Sequence, residues 1–150
     1  MAKPITSRAS QLIIKLGDGE TPEVFLAPCG LNTKGINFTK EMNDTPVPDC
    51  DNPDAPAWTE RAVTTLSAQV SGDGILSMAD LDTWWDFNTS TISKNAQVVL
   101  AVDAPNAALG GMWTGKFLMQ GFNVTGELGN KVQVAVDLLS DGEIIWTPAP

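Results

Sequence analysis

The chain has 150 residues, 43% of them hydrophobic and 18% charged, with a formal net charge of −9 and no histidine. This length allows one domain with a sizeable core, and the composition is that of a folded globular protein. Its lysines and arginines are scattered along the sequence. Because phosphate binding needs clustered basic residues, this argues against a surface that grips nucleic acid or an anionic membrane.

The N-terminal sequence MAKPITSRASQLIIKL contains no apolar run of secretory length, since Lys15 follows Leu12–Ile14 directly. No later stretch approaches the length of a transmembrane helix. These features predict a protein that is made and kept in a cytoplasm. In that compartment, free thiols at Cys29 and Cys50 are favoured over a disulfide.

Most segments alternate apolar and polar residues with period two, which is the pattern of half-buried strands. The glycines at Gly126 and Gly129 predict a hairpin between the last two of these strands. Two Gly-Asp-Gly sequences, Gly17–Gly19 and Gly72–Gly74, predict tight turns. The predicted strands cover Leu12–Leu16, Val24–Leu26, Ile36–Phe38, Ala62–Val70, Val98–Val102, Trp113–Val124 and Val132–Leu138.

One segment has helical spacing instead. It predicts an α-helix over about residues 77–89, begun by a capping pair and packed on the sheet through both of its indoles. The expected fold is therefore mainly β, an antiparallel β-sandwich or barrel with one flanking helix. The capping pair is Ser77 and Asp80, the apolar face is Met78, Leu81, Trp84 and Trp85, and Asp80 and Asp82 lie opposite that face.

Residues 43–60, NDTPVPDCDNPDAPAWTE, predict a long acidic loop, because four prolines interrupt regular structure. Asp49, Asp51 and Glu60 match the first, third and twelfth positions of a calcium-binding EF-hand loop. Pro53 and Asp54 occupy the fifth and sixth positions, where the loop needs a ligand and a glycine. A solvated acidic loop is therefore favoured over a calcium site.

No catalytic, cofactor-binding or metal-binding residue is predicted. Catalysis through Ser–His–Asp or Cys–His needs an imidazole, and two cysteines do not make a zinc site. The Gly-Asp-Gly sequences lack the spacing of a phosphate-binding loop, and helical spacing favours core packing over sugar stacking for Trp84 and Trp85. The residues alone therefore predict a non-enzymatic, acidic, β-rich domain.

The order of these features resembles the lambda-like major tail tube proteins of siphophages, a family that includes the tail tube proteins of gene transfer agents. The resemblance runs from about Gln11 to Trp146. It lies in the series of a first strand, an acidic loop ending in Asp54–Trp58 (DAPAW), a strand containing Ser67–Gly72 (SAQVSG), the tryptophan-bearing helix Leu81–Phe87, and the strands Val98–Val102, Trp113–Val124 and Val132–Leu138.

The resemblance implies a single tail-tube domain over residues 1–150, with a flexible N-terminal arm at 1–10 and without the immunoglobulin-like extension that some members carry. It implies hexameric rings that stack head to tail into a hollow tube, through which DNA passes without specific binding. Tape measure, tail tip and terminator proteins are the implied partners. The implied location is the tail of a virion that is assembled in the host bacterial cytoplasm, with no membrane and no cofactor involved.

Within such a tube, the acidic loop and the N-terminal arm are expected to reach neighbouring subunits. The polar sides of the long strands are expected either to line the channel or to face solvent on an ordinary sheet, and Asp82 is expected on the exposed side of the helix. The strands of the inner barrel are those around Ile36, Leu66, Phe117 and Val134, and the candidate lining residues are Glu41, Gln69, Gln133 and Asp137.

Two alternatives remain open at this stage. One is the tube of another injection machine, a contractile tail or a type VI secretion system, which shares the fold. The other is a β-sandwich binding module that uses Trp58 or Trp113 as a stacking platform, and the missing secretion signal disfavours it.

Overall fold

The computed structural model describes residues 3–17 and 23–149. Its helix, α1, is Leu81–Thr89, preceded by a 3₁₀ turn at Met78–Asp80. The strands are β1 Leu12–Gly17, β2 Phe25–Leu26, β3 Leu31–Val47, β4 Trp58–Ile75, β5 Lys94–Leu100, β6 Gly111–Thr125, β7 Gln133–Ser140 and β8 Ile145–Pro148.

These strands form one antiparallel eight-stranded sheet in the order β2-β1-β5-β6-β7-β4-β3. The short strand β8 continues the line of β7 and pairs with the first residues of β6. Since β2 and β3 lie at opposite ends of this order, the sheet is open and does not close into a barrel. The predicted mainly-β antiparallel fold with one flanking helix is confirmed.

One face of the sheet, here called the core face, curls around the hydrophobic core. A Cβ atom added at Gly72 of β4 would lie 3.2 Å from Leu31 and 3.6 Å from Ile14 of β1, so strands far apart in the order approach across the core. This curling gives a sandwich-like cross-section. The largest fully buried side chains are Ile14, Leu16, Val70, Trp84, Val98, Phe117 and Leu138.

Helix α1 packs on the core with a different face from the predicted one. Trp84 and Phe87, one helical turn apart, are 1% and 2% exposed, whereas Trp85 is 54% and Met78 69% exposed. The prediction that both indoles are buried is therefore wrong. Because α1 begins only at Leu81, Met78 belongs to the 3₁₀ turn and does not share its apolar face.

The predicted cap at the start of this helix is also wrong. Neither Ser77 nor Asp80 makes a side-chain capping hydrogen bond. The Asp80 carboxylate instead accepts a hydrogen bond from the backbone N–H of Cys29 at 2.7 Å. It thereby ties the connection between β2 and β3 to the start of α1.

The predicted turn at Gly72–Gly74 is wrong, because β4 continues through it to Ile75. A Cβ atom at Gly74 would lie 2.2 Å from the backbone oxygen of Gly30, so the glycine permits the close approach of two backbones. The turn predicted at Gly17–Gly19 falls largely on residues 18–22, outside the described residues. The hairpin around Gly126–Gly129 is confirmed as the β6–β7 connection.

The predicted acidic loop is shorter than residues 43–60. Residues 43–47 pair with 58–62 as the far ends of β3 and β4, which leaves 48–57 as the loop. Pro46 lies inside β3 opposite Thr59. It is tolerated because β3 is an edge strand, whose free side requires no N–H donor.

Candidate assembly surfaces

The far ends of β3 and β4 form a two-stranded arm that leaves the body of the sheet. Strand β4 pairs with β7 only from Gln69 onward, so residues 37–67 have no strand partner outside the β3–β4 pair. Every residue of this projecting hairpin (residues 37–67) is exposed except the half-buried Ala55. An isolated two-stranded hairpin is marginally stable in water, so this segment is suited to packing on another chain.

The projecting hairpin also exposes large apolar side chains on both of its sides. A single exposed hydrophobic residue is ordinary, but a contiguous set indicates a contact surface. The strand pairing places Trp58 beside Val47 near the tip, and Trp58 is 87% exposed. The full set is Phe38, Met42, Val47, Trp58, Val63 and Leu66, which are 40% to 87% exposed.

A groove of about 810 Å³ lies where the projecting hairpin meets the body. Its walls are Phe38, Val63 and Leu66 on one side and the turn at residues 140–144 on the other. The backbone N–H of Ala68 donates a hydrogen bond to the Ser140 hydroxyl at 2.9 Å, which fixes the base of the groove. This surface was not predicted from the sequence. The sequence feature that indicates it is a set of apolar residues at equal distances before and after residues 48–57. These flanking residues, such as Val47 and Trp58, pair with each other in the structure.

Three aromatic rings cross the sheet beside this groove. The Trp113 ring centroid lies 5.6 Å from that of Phe38 and 4.8 Å from that of Trp146, with tilts of 51° and 46°. Trp113 is therefore packed between two rings and does not offer a free flat face. This removes it as the stacking platform of a binding module.

The opposite face of the sheet, here called the polar face, carries all four residues predicted to line a channel. Asp137 lies opposite Ser71, and Gln69 lies two residues along the same face of β4. Glu41 pairs with Thr65 on that face, and Gln133 shares the face of Asp137 in β7. Glu41 and Gln133 are exposed, whereas Gln69 and Asp137 are half-buried.

Charge is sorted between the two faces of these strands. Lys34 and Lys40 of β3 lie on the core face, opposite Gly72 and Leu66 of β4. Glu41, Asp73 and Asp137 lie on the polar face of β3, β4 and β7. On these three strands the polar face carries acidic charge and no lysine or arginine, whereas Lys116 of the neighbouring β6 and Lys15 of β1 also lie on this face.

The residues that marked the predicted inner barrel share the core face of adjacent strands. Phe117 and Val134 are buried and Ile36 is half-buried, but Leu66 is 70% exposed because it lies on the projecting hairpin. Asp82 is exposed on α1, as predicted.

The three acidic residues that match an EF-hand loop, Asp49, Asp51 and Glu60, do not converge. The Asp49 carboxylate accepts a hydrogen bond from the Asp51 backbone N–H at 2.9 Å, which is a local turn, while Glu60 lies in β4 opposite Thr45. Within residues 3–17 and 23–149, no group of three Cys, Asp or Glu residues is arranged to hold a metal ion. Cys29 and Cys50 are exposed and unpaired.

The described part of the N-terminal segment lies against the connection that follows β5. The Ser7 hydroxyl donates a hydrogen bond to the backbone oxygen of Ala101. Arg8 forms an exposed ion pair with Asp103 at 3.0 Å. Among the described residues, no helix is long and apolar enough to cross a membrane.

Comparison with solved structures shows the same fold in tail assemblies. The chain superposes on a chain from the tail of an empty gene transfer agent particle with C6 symmetry, with a TM-score of 0.75, 21% identity and coverage of 95% of this chain and 99% of that one. The TM-score with a chain from the virion of a native gene transfer agent is 0.74, with 22% identity and coverage of 95% of this chain and 99% of that one. The TM-score with a chain of the SPP1 tail tube is 0.63, with 9% identity and coverage of 95% of this chain and 80% of that one.

None of the curated protein sequences compared matches the chain. The family model for phage tail tube proteins does match, over residues 6–145. This match covers the whole sheet up to the first residue of β8, together with α1 and the projecting hairpin. The chain therefore belongs to the phage tail tube protein family, which is a family of structural proteins and not of enzymes.

Proposed function

We propose that the chain is the major tail tube subunit of a siphophage or a gene transfer agent, forming hexameric rings that stack head to tail into a hollow tube for DNA. The observation that carries this proposal is the projecting hairpin, since residues 37–67 have no core of their own in a single subunit. The C6 symmetry of the similar gene transfer agent tail supports six subunits per ring.

The open sheet supports closure through neighbouring subunits. Free strand edges promote uncontrolled pairing between chains, and proteins usually cover or shorten them. Here β2 is short, but β3 is a long edge strand. Pairing such edges around a closed ring satisfies their backbone groups, and a cyclic arrangement stops the pairing at a fixed number of subunits.

The polar face suits the wall of a DNA channel. A wall that bound phosphate would hold the DNA at every ring, because each contact releases counterions and adds affinity. The acidic residues Glu41, Asp73 and Asp137 on this face would repel phosphate instead. The lysines of β3 lie on the other face, which keeps them away from the channel.

The remaining parts of the proposal follow from the tube. Residues 1–150 form one tail-tube domain. The N-terminal arm at 1–10, in which Ser7 and Arg8 contact Ala101 and Asp103 of the same chain, reaches a neighbouring subunit with its first residues. The tape measure protein and the tail tip and terminator proteins are the chain's partners in the tail. Assembly takes place in the host bacterial cytoplasm, and the DNA passes without specific binding.

Electron microscopy of the purified full chain tests this function. We expect rings or long tubes with a hollow centre, formed alone or after addition of a tail tip complex. The reason is that the projecting hairpin and the β3 edge gain partners only in an assembly. Particles that stay monomeric at all concentrations, even with tail tip and tape measure proteins, would refute the proposal.

A charge reversal at Asp137 tests the channel wall. Asp137→Lys should allow normal tails to form but should slow DNA ejection. The rate should fall about fivefold for each lysine–phosphate contact that must break, because one ion pair near 4 Å contributes about 1 kcal/mol in water. Gln133→Lys should act in the same direction. Because screening limits such contacts to about 8–10 Å, higher salt should partly restore the ejection rate.

The matched control is Asp82→Lys, which makes the same charge change on the exposed side of α1. We expect it to leave ejection unchanged, as measured by DNA release from purified particles. If Asp82→Lys and Asp137→Lys slowed ejection equally, the polar face would not be the channel wall.

A further inference from the structure

The turn between β6 and β7 exposes the side chain of Leu128 to solvent. Leu128 is 103% exposed, so it has no neighbour within its own chain. The backbone N–H of Asn130 donates a hydrogen bond to the Glu127 oxygen at 3.0 Å, which makes Leu128 the corner of a closed four-residue turn. Gly129 has a φ of +92°, as the third position of a type II turn requires. The turn therefore holds an apolar knob away from the body.

An apolar socket lies at the opposite end of the same strand. It is a cavity of about 240 Å³ where the first residues of β6 meet the ends of β5 and β8. Removing a leucine side chain from a core leaves a cavity of about 150 Å³, so this socket is large enough to admit one. Its lining includes Val99, Ala101, Ala107, Met112, Pro148 and Ala149.

The relative position of knob and socket determines how copies would join. Gly111, the first residue of β6, lines the socket, and Thr125, the last, leads into the turn. If the knob of one copy enters the socket of the next, each copy is displaced along the direction of β6 relative to the copy before it. The resulting row of copies ends in a free knob on one side and a free socket on the other. Such a heterologous contact is open-ended. The free edges of the sheet, at β2 and β3, instead run parallel to the strands along its two sides. In the proposed tube these edges make the contacts within a ring.

The turn and the surroundings of the socket each carry one acidic and one basic side chain. The turn carries Glu127 on one side of Leu128 and Lys131 on the other. Beside the socket, the Arg8–Asp103 ion pair is 69% and 60% exposed, and it is joined to the socket through the Ser7 hydrogen bond to Ala101. In the orientation that brings opposite charges together, insertion of the knob would place Glu127 near Arg8 and Lys131 near Asp103.

We propose that Leu128 of one subunit inserts into the socket formed by β5, β6 and β8 of a second copy of this chain in the next ring, as the apolar centre of the contact between rings. This inference rests on the proposed tube and adds a specific ring-to-ring contact to it. Because both halves of the contact are in one chain, every ring offers knobs on one side and sockets on the other.

Polymerisation of the purified chain tests the knob. Leu128→Asp should raise the concentration needed for tube formation about tenfold or more, since burial of a leucine is lost and a charge enters an apolar site. Ala107→Trp, which fills the socket from its exposed rim, should have a similar effect. Leu128→Met should polymerise like the original chain.

The matched control is Ile92→Asp, which makes the same kind of change at a side chain that is 76% exposed after α1. It should polymerise normally, and circular dichroism should show that all variants fold. Leu128→Asp tubes that form at the original concentration would overturn the proposal.

Disulfide trapping tests the partner and its direction. In a chain with Cys29→Ser and Cys50→Ser, we introduce Leu128→Cys and Ala107→Cys and oxidise assembled tubes. An axial contact predicts a ladder of covalent oligomers that continues beyond six subunits. A ladder that ends at six would assign the contact to the ring, and the absence of cross-links would remove it. If the original chain forms no tubes at all, the proposed function fails before this contact is tested.

Discussion

Deletion of the outer part of the projecting hairpin should leave a folded chain that no longer forms tubes. The sharpest version removes residues 44–61 and joins Asn43 to Ala62 through an Asn–Gly turn. These two residues are cross-strand partners, so a two-residue turn closes the shortened hairpin in the original register. The deletion removes both members of the exposed Arg61–Asp44 ion pair, so it leaves neither charge behind.

The expected free energy of unfolding changes by no more than about 1 kcal/mol, because the removed segment has no buried side chain and an exposed ion pair contributes little. In the proposed tube, assembly would lose Val47 and Trp58 as contacts with neighbouring subunits. Burial of two such side chains contributes about 3–6 kcal/mol, so the concentration needed for polymerisation should rise about a hundredfold or more. Urea unfolding and electron microscopy measure the two effects separately.

A matched variant separates the apolar contacts from the acidic charge. Asp49→Asn, Asp51→Asn and Asp54→Asn together remove the charge at the tip and keep Val47 and Trp58. We expect this variant to form tubes. Tubes of normal length from the deleted chain would show that the projecting hairpin is dispensable, and loss of tubes only in the asparagine variant would assign its role to charge.

Trp84→Ala should cost about 3–5 kcal/mol of stability, the usual effect of truncating a large buried aromatic residue. Trp84 is 1% exposed and belongs, with Phe87 and Phe117, to the core between α1 and the sheet. Domains of this size are stable by only about 5–15 kcal/mol, so the substitution removes a large share of the free energy of unfolding. Urea unfolding of the monomer, followed by circular dichroism, gives the value.

The control for this change is the adjacent indole. Trp85 is 54% exposed, so Trp85→Ala should cost less than about 1 kcal/mol. Equal losses from the two substitutions would mean that the helix packs on the sheet with the face predicted from sequence. In that case the exposed position assigned to Trp85 would be wrong.

The sequence by itself was sufficient for the class of fold and for most of its elements. Alternation of apolar and polar residues identified the strands from Leu12 to Leu138, and helical spacing located the segment that contains α1. Glycines at 126 and 129 identified the β6–β7 hairpin. These features depend on residues close in sequence, so local periodicity and turn chemistry are enough to recognise them. The ordered series of elements also led to the tail tube family.

Only the tertiary structure decided how these elements are used. Whether Gly72–Gly74 is a turn or a strand depends on the approach of Gly30, more than forty residues earlier in the chain. Whether Trp84 or Trp85 is buried depends on which side of α1 meets the sheet. The length of the projecting hairpin depends on cross-strand partners up to residue 47. Each of these outcomes is set by contacts between distant segments, whose packing overrides the preference of the local sequence.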